Sequence, residues 1–135
     1  FRACAEGAAI ATGTTAEINI LAAASDVHPY PSLQALSKAN FEILGVPFDP
    51  PYTSEGSTDF GDISYAMPAE SFYVTLDAGD MPWHSRQVAE ASIREPALRS
   101  MLAGAKVLAM NAIDVLADPS ILEQARREGP NRNAS

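Results

Sequence analysis

Small and apolar positions dominate the first dozen residues. The alanine content of 2–12 predicts a helix, with Gly13 as the residue that ends it. From Thr15 to Ala23 the pattern alternates: Ile18, Ile20 and Ala22 fall on one side, Glu17, Asn19 and Leu21 on the other, as in a strand. Residues 25–31 hold Ser25, Asp26, His28, Pro29 and Pro31, which is linker chemistry and marks a domain boundary. Ser32 then caps an expected helix through Leu44, with Leu33, Leu36, Phe41 and Leu44 as its apolar face and Gly45 as its stop. A long irregular stretch follows over 46–68, punctuated by Pro47, Pro50, Pro51, Gly56, Gly61 and Pro68. Its aromatic and apolar residues, Phe48, Tyr52, Phe60, Ile63 and Tyr65, favour order. Loops of that length in compact domains are commonly functional. Residues 71–76, Ser-Phe-Tyr-Val-Thr-Leu, form the strongest strand pattern in the chain.

After a turn rich in acids, a helix begins near Ser85. A longer one is expected from the proline at 96 to Leu116. Its apolar face comprises Leu98, Met101, Leu102, Ala105, Leu108, Ala109, Ala112, Val115 and Leu116, broadened by Val107, Met110 and Ile113. Only Arg99, Lys106 and Asp114 form a polar stripe. A helix apolar on most sides has to be covered on most sides, and one strong strand supplies little cover. Asp118-Pro119 then starts a short helix over 120–128, and a tail completes the pattern. The expected organisation is therefore 1–26 as the end of one domain, 27–129 as the larger part of a second, and 130–135 as a tail. A helix followed by a strand without partners reads as the end of an α/β or α+β layer, the rest of which lies elsewhere.

The chain has 135 residues, with 17 acidic and 9 basic side chains and a net charge of −8. That balance argues against general nucleic-acid binding, which requires a basic face. No run of about 18 purely apolar residues occurs, so no membrane span is expected. The single cysteine, Cys4, excludes an internal disulfide, and two histidines exclude a zinc finger. The chain opens at Phe1, without a leader pattern, on what reads as a helix under way; of a mature end made by processing and a part of a longer protein, the second is the expectation. A cytoplasmic location is the default reading. Between Lys38 and Arg86 there is no basic residue, while Asp49, Glu55, Asp59, Asp62, Glu70, Asp77 and Asp80 all fall there. Such a stretch is either a solvated acidic surface or the surroundings of bound cations.

Two places could carry chemistry. His84 follows a strand pattern and a loop and directly precedes a helix, a position typical of ligands at the carboxyl edge of a sheet. A neutral imidazole is also the commonest metal ligand. The bland alternative is a loop histidine without a role. Gly56-Ser57-Thr58-Asp59-Phe60-Gly61-Asp62 has small residues that let a backbone approach a ligand, and it lacks the lysine and glycine spacing of a phosphate loop. Its bland alternative is a turn in which Asp59 or Asp62 caps local amides. His28 in the linker reads as structural, and Cys4 as a small buried hydrophobe. No complete independent active site is legible.

Gly-Ser-Thr-Asp-Phe-Gly-Asp-Ile-Ser at 56–64, the strand, Pro-Trp-His-Ser at 82–85 and the alanine-rich helix with Gly104-Ala105-Lys106-Val107-Leu108-Ala109 together resemble a zinc amidohydrolase family. Its members include carboxypeptidase G, aminoacylase and the auxin-conjugate hydrolases. The resemblance is nearest to the aminobenzoyl-glutamate hydrolase branch, and Ala3-Cys4-Ala5-Glu6-Gly7-Ala8-Ala9 with the strand after it resembles the end of that family's lid domain. The resemblance implies an α/β catalytic domain holding two zinc ions, with manganese or cobalt as possible substitutes, interrupted by a lid that usually forms a homodimer. It implies His84 as the last metal ligand and Ser57, Thr58 and Asp59 as a loop beside a small amide substrate. The other ligands and the general-base glutamate would lie upstream, in the remaining N-terminal part of the enzyme, so this chain would not be active alone. Trp83 departs from the branch, where glycine usually precedes the histidine, and its indole would narrow the pocket or stack on a flat group. The rival reading is a non-catalytic module docking through helix 97–116. A weaker third is a remnant that has lost its metal site.

Overall fold

A computed structural model describes residues 1–48, 58–76, 79 and 81–130. The described residues contain six helices: α1 (Arg2–Thr12), α2 (Pro31–Ile43), α3 (Phe60–Ala66), α4 (Arg86–Ser92), α5 (Glu95–Ala117) and α6 (Pro119–Glu128). Helix α1 ends where its composition says it should. Gly13 takes a left-handed φ of 66°, and the Thr14 N–H reaches back to the Ala9 carbonyl at 2.9 Å.

Helix α2 starts one residue earlier than its serine suggests. Pro31 occupies the first turn, where its missing N–H costs nothing and its fixed φ suits the helix. Ser32 is thereby released from capping, and both its hydroxyl (2.7 Å) and its N–H (3.1 Å) donate to the Glu128 carboxylate. At the other end Gly45 is again left-handed. Its N–H bonds to Glu42 and that of Val46 to Phe41, each at 3.0 Å, which satisfies the last carbonyls. Helix α3 lies inside the stretch expected to be irregular. Its seven residues are too few to display a hydrophobic period.

Helices α2, α5 and α6 pack on one another, and α4 packs on α5. The face of α5 that is buried is not the broad apolar one. Ala97, Gly104 and Val107 are buried, whereas Leu98, Met101, Leu102, Leu108, Ile113 and Leu116 are exposed. Small residues win the inner face because they admit neighbours closely: a Cβ at Gly104 would stand 3.1 Å from Val74 Cγ1 and 3.4 Å from Phe72 Cε2. Below Gly104 the seam is polar. Asn40 Nδ2 donates to Asn111 Oδ1 and to Asp114 Oδ2, both at 2.8 Å, and Asn111 Nδ2 donates to Ser37 Oγ at 2.9 Å. Asn40 and Ser37 are almost wholly buried, so these bonds satisfy groups that would otherwise be costly to desolvate. Phe41 completes the core, edge-on to Phe72 at 4.9 Å between ring centroids.

By length and mean hydropathy (1.4) α5 could cross a membrane, contrary to the sequence expectation. Polar bonds pin one side of it to α2, and its apolar side has no cover among the described residues.

The two expected strands differ from the expectation in one respect: neither 15–23 nor 71–76 pairs into a ladder among the described residues. Residues 71–76 nonetheless keep a strand's alternation. Phe72, Val74 and Leu76 are half-buried, while Ser71, Tyr73 and Thr75 are exposed.

Candidate functional site

His84 sits on a turn between the 71–76 segment and α4. Ser85 caps α4, its hydroxyl accepting the Val88 N–H at 3.2 Å, and His84 immediately before it takes a φ of 60°. It is the sole non-glycine with positive φ among the described residues. Histidine visits that region more readily than most side chains, but the conformation carries strain, and strain of this kind concentrates at functional sites. The imidazole is exposed and makes no hydrogen bond among the described residues. Both ring nitrogens are therefore open to a ligand. Trp83 beside it is 67% exposed. An open cavity of about 260 Å³ lies next to the turn, lined by Met81, Pro82, Gln87, Glu90 and Arg94.

The second candidate segment is built on α3. Thr58 Oγ1 accepts the Phe60 N–H at 3.2 Å and so opens the helix, a role expected of Asp59 or Asp62. The Asp59 carboxylate is exposed and takes no hydrogen bond among the described residues. Asp62 turns away to Ser25, accepting its N–H at 3.0 Å, and the Ser25 side chain first and that N–H second hold its carboxyl below the usual range. Ser57 lies outside the described residues. No hydrogen bond or ring contact among the described residues joins Thr58 or Asp59 to Trp83 or His84.

Residues 25–30 secure α3 from the other side. Tyr30, 1% exposed, donates its hydroxyl to the Ser64 carbonyl at 2.7 Å. The His28 N–H donates to Ser64 Oγ at 2.9 Å, and Ser64 in turn donates to the Gly61 carbonyl at 2.6 Å. His28 Nε2 lies 2.7 Å from the Glu128 carbonyl. A carbonyl only accepts, so Nε2 carries the proton. His28 is thus tied into the framework, as its linker position suggested. Ser64 and Tyr30 were not legible as anchors, because nothing local marks a contact made 34 residues apart.

Glu70 was singled out only as one acid among seven. It is half-buried beside the 71–76 segment, with no hydrogen bond among the described residues, and burial pushes its carboxyl up to about 7. Its sequence neighbours Pro68 and Ala69 give no hint of this.

No three His, Cys, Asp or Glu side chains come together among the described residues as a metal site would require. His84 supplies one imidazole donor, suited to zinc in kind but short of the three protein ligands a catalytic zinc takes. Further donors would have to come from outside the described residues.

Two mammalian proteins named Xaa-Arg dipeptidase align with 93% of this chain. The mouse protein is 36% identical over 141 residues and the human protein 34% identical over 132. The chain is similar to part of each of these two proteins. It spans about 30% of the length of each relative. No family model matches it. The names of the relatives point to peptide-bond hydrolysis, and neither is named for aminobenzoyl-glutamate.

Proposed function

We propose that this chain is the portion of a metal-dependent amidohydrolase that supplies one metal ligand, His84, and one substrate loop around Thr58 and Asp59. The observation that carries the reading is the exposed imidazole of His84. It is held on a left-handed backbone with neither nitrogen hydrogen-bonded among the described residues, in a chain aligned over 93% of its length with proteins named dipeptidase. The chemistry that a bound divalent ion supplies in such enzymes is polarisation of the amide carbonyl and a water acidic enough to attack near neutral pH. This chain's own contribution is to present His84 as a neutral donor, to offer the indole of Trp83 as an apolar wall, and to carry the free Asp59 carboxylate. The α/β fold, the zinc, the homodimer through the lid and the cytoplasmic location belong to the same proposal. The alternating burial of residues 71–76 supports the fold.

The substrate we infer is a dipeptide with a cationic C-terminal residue. Between Lys38 and Arg86 every charged side chain is acidic, and a surface of one sign raises the local concentration of the opposite charge. An aminobenzoyl-glutamate substrate is anionic and would be repelled, so the branch suggested by residue resemblance is the less favoured of the two.

In the intact protein, His84→Ala should lower bound zinc, read by elemental analysis, and reduce hydrolysis of Xaa-Arg dipeptides at least a hundredfold, since even outer partners of metal ligands are worth about 10–100-fold. Unchanged zinc stoichiometry and rate would sink the assignment. The rival, an interaction module docking through α5, is favoured by that helix's exposed apolar face. It would be upheld by an intact protein that binds no metal and cleaves no dipeptide.

A further inference from the structure

We propose that the linker 25–30 sets the position of the substrate loop through α3, with Asp62 and Tyr65 as positioning residues; the inference rests on the dipeptidase reading above. Helix α3 packs against no other helix among the described residues. At seven residues it is too short to be stable by its own hydrogen bonds. Among the described residues the linker holds it, in two tiers. The inner tier is centred on the buried Tyr30 and Ser64: Tyr30 to the Ser64 carbonyl, the part-buried bond from the His28 N–H to Ser64 Oγ, and the His28 ring edge-on to Tyr30 at 5.1 Å and to Tyr65 at 5.7 Å. The Glu128 carbonyl fixes His28 in turn, anchoring this tier to the end of α6. The outer tier is exposed: the Ser25 N–H to Asp62 Oδ1 and the Tyr65 hydroxyl to Asp26 Oδ1, each at 3.0 Å.

The two tiers differ in what they attach to. The inner one binds α3 to residues 28–30, on the α2 and α6 side of the boundary expected at 26. The outer one binds it to Ser25 and Asp26, the last residues before that boundary. A movement of 1–26 would therefore reach α3 through Asp62 and Tyr65, while Tyr30 and Ser64 act as the pivot. Thr58 and Asp59 directly precede α3, so the direction of their side chains follows its placement. The seat is close: Gly61 leaves no room for even a methyl group against the Ser25 carbonyl.

The test uses the intact protein, its Asp62→Ala and Tyr65→Phe variants, and Asp62→Asn, which keeps an acceptor for the Ser25 N–H. Each is assayed for steady-state hydrolysis of an Xaa-Arg dipeptide and for hydrogen exchange of residues 58–66. Losing one outer bond should raise KM about fivefold with kcat little changed, the equivalent of one ordinary hydrogen bond. Exchange over 58–66 should quicken selectively, and Asp62→Asn should restore both. Unchanged exchange in Asp62→Ala and Tyr65→Phe overturns the proposal, because α3 is then held without the outer tier. Quickened exchange with unchanged KM also overturns it, since the loop then does not position substrate. A kcat loss matching a loss of folded protein, not rescued by Asp62→Asn, assigns a merely structural role and overturns it as well. If the unaltered protein cleaves no dipeptide, the functional reading itself falls, and the substrate role falls with it.

Discussion

Gly61→Ala is the substitution on which the placement of α3 can be judged most sharply. An alanine Cβ there would lie 1.9 Å from the Ser25 carbonyl oxygen, 2.7 Å from its carbon and 2.9 Å from the Asp26 oxygen. All three are backbone atoms, so no side chain can swing aside. Ordinary contact for a methyl begins near 3.4 Å, so helix and linker must part by more than an ångström. Separation on that scale breaks the His28–Ser64 and Tyr30–Ser64 bonds and leaves buried groups unpaired. At about 1–1.5 kcal/mol for each such bond, with the exposed Ser25–Asp62 bond adding less, the loss is about 3 kcal/mol. Alanine's better helix propensity returns at most about 1 kcal/mol, leaving a net destabilisation of about 2 kcal/mol. Two other helical glycines serve as internal controls. Gly7 in α1 has nothing within 4 Å of its would-be Cβ, so Gly7→Ala should be neutral or stabilising by up to about 1 kcal/mol. Gly104 faces the Val74 methyl at 3.1 Å, a side-chain neighbour that can yield by a few tenths of an ångström, so Gly104→Ala should fall between the other two. Urea unfolding of the three variants gives the order directly. A Gly61→Ala midpoint at or above that of the unaltered protein would refute the contact between α3 and the linker.

Two further predictions concern buried polar groups. The Glu70 carboxyl, raised by burial to about 7 from an ordinary 4.5, keeps a proton in the folded state that the unfolded chain releases. Stability should therefore fall as pH rises from about 4.5 to about 7 and then level off. Glu70→Gln should flatten that slope and gain about 1–2 kcal/mol at pH 8, after allowance for the water that still reaches the group; identical melting profiles for both proteins across pH 4–8 would contradict it. Asn40→Ala removes the donor that satisfies both Asn111 and Asp114, and should cost about 2–3 kcal/mol in chemical unfolding, because one of the groups left behind is a carboxylate. A cost below about 0.5 kcal/mol, the ordinary range for surface changes, would mean that water replaces the bond and the seam is not closed.

Much of the helical framework was legible because its signals are local. Gly13 and Gly45 end their helices through a backbone conformation that glycine adopts without strain, and Asp118 opens α6 by accepting the Ser120 N–H at 3.0 Å. Pro96 and Pro119 stand in the first turns of α5 and α6 for the same kind of reason, whereas Pro31, read as linker, proved to open α2. His84 could be named as a candidate from its place after a strand pattern and before a helix, yet its left-handed backbone was visible only in three dimensions. Helix α3 was missed because seven residues rich in turn formers carry no period. The role of Gly61 was missed because the atoms it must avoid belong to Ser25, 36 positions away.

The sequence by itself determined where most of the longer helices begin and end, which segment alternates like a strand, and that α5 is too apolar to stand alone. Capping, propensity and periodicity act over three or four residues, so each is written where it operates. Tertiary structure decided which face of α5 turns inward. The largest apolar side chains predict a broad hydrophobic contact, but the inner face went to Gly104, Val107 and a hydrogen-bonded seam of Ser37, Asn40, Asn111 and Asp114. Close packing rewards small residues where two elements meet, and buried polar groups must find each other. Both conditions depend on the partner surface, which no local pattern encodes.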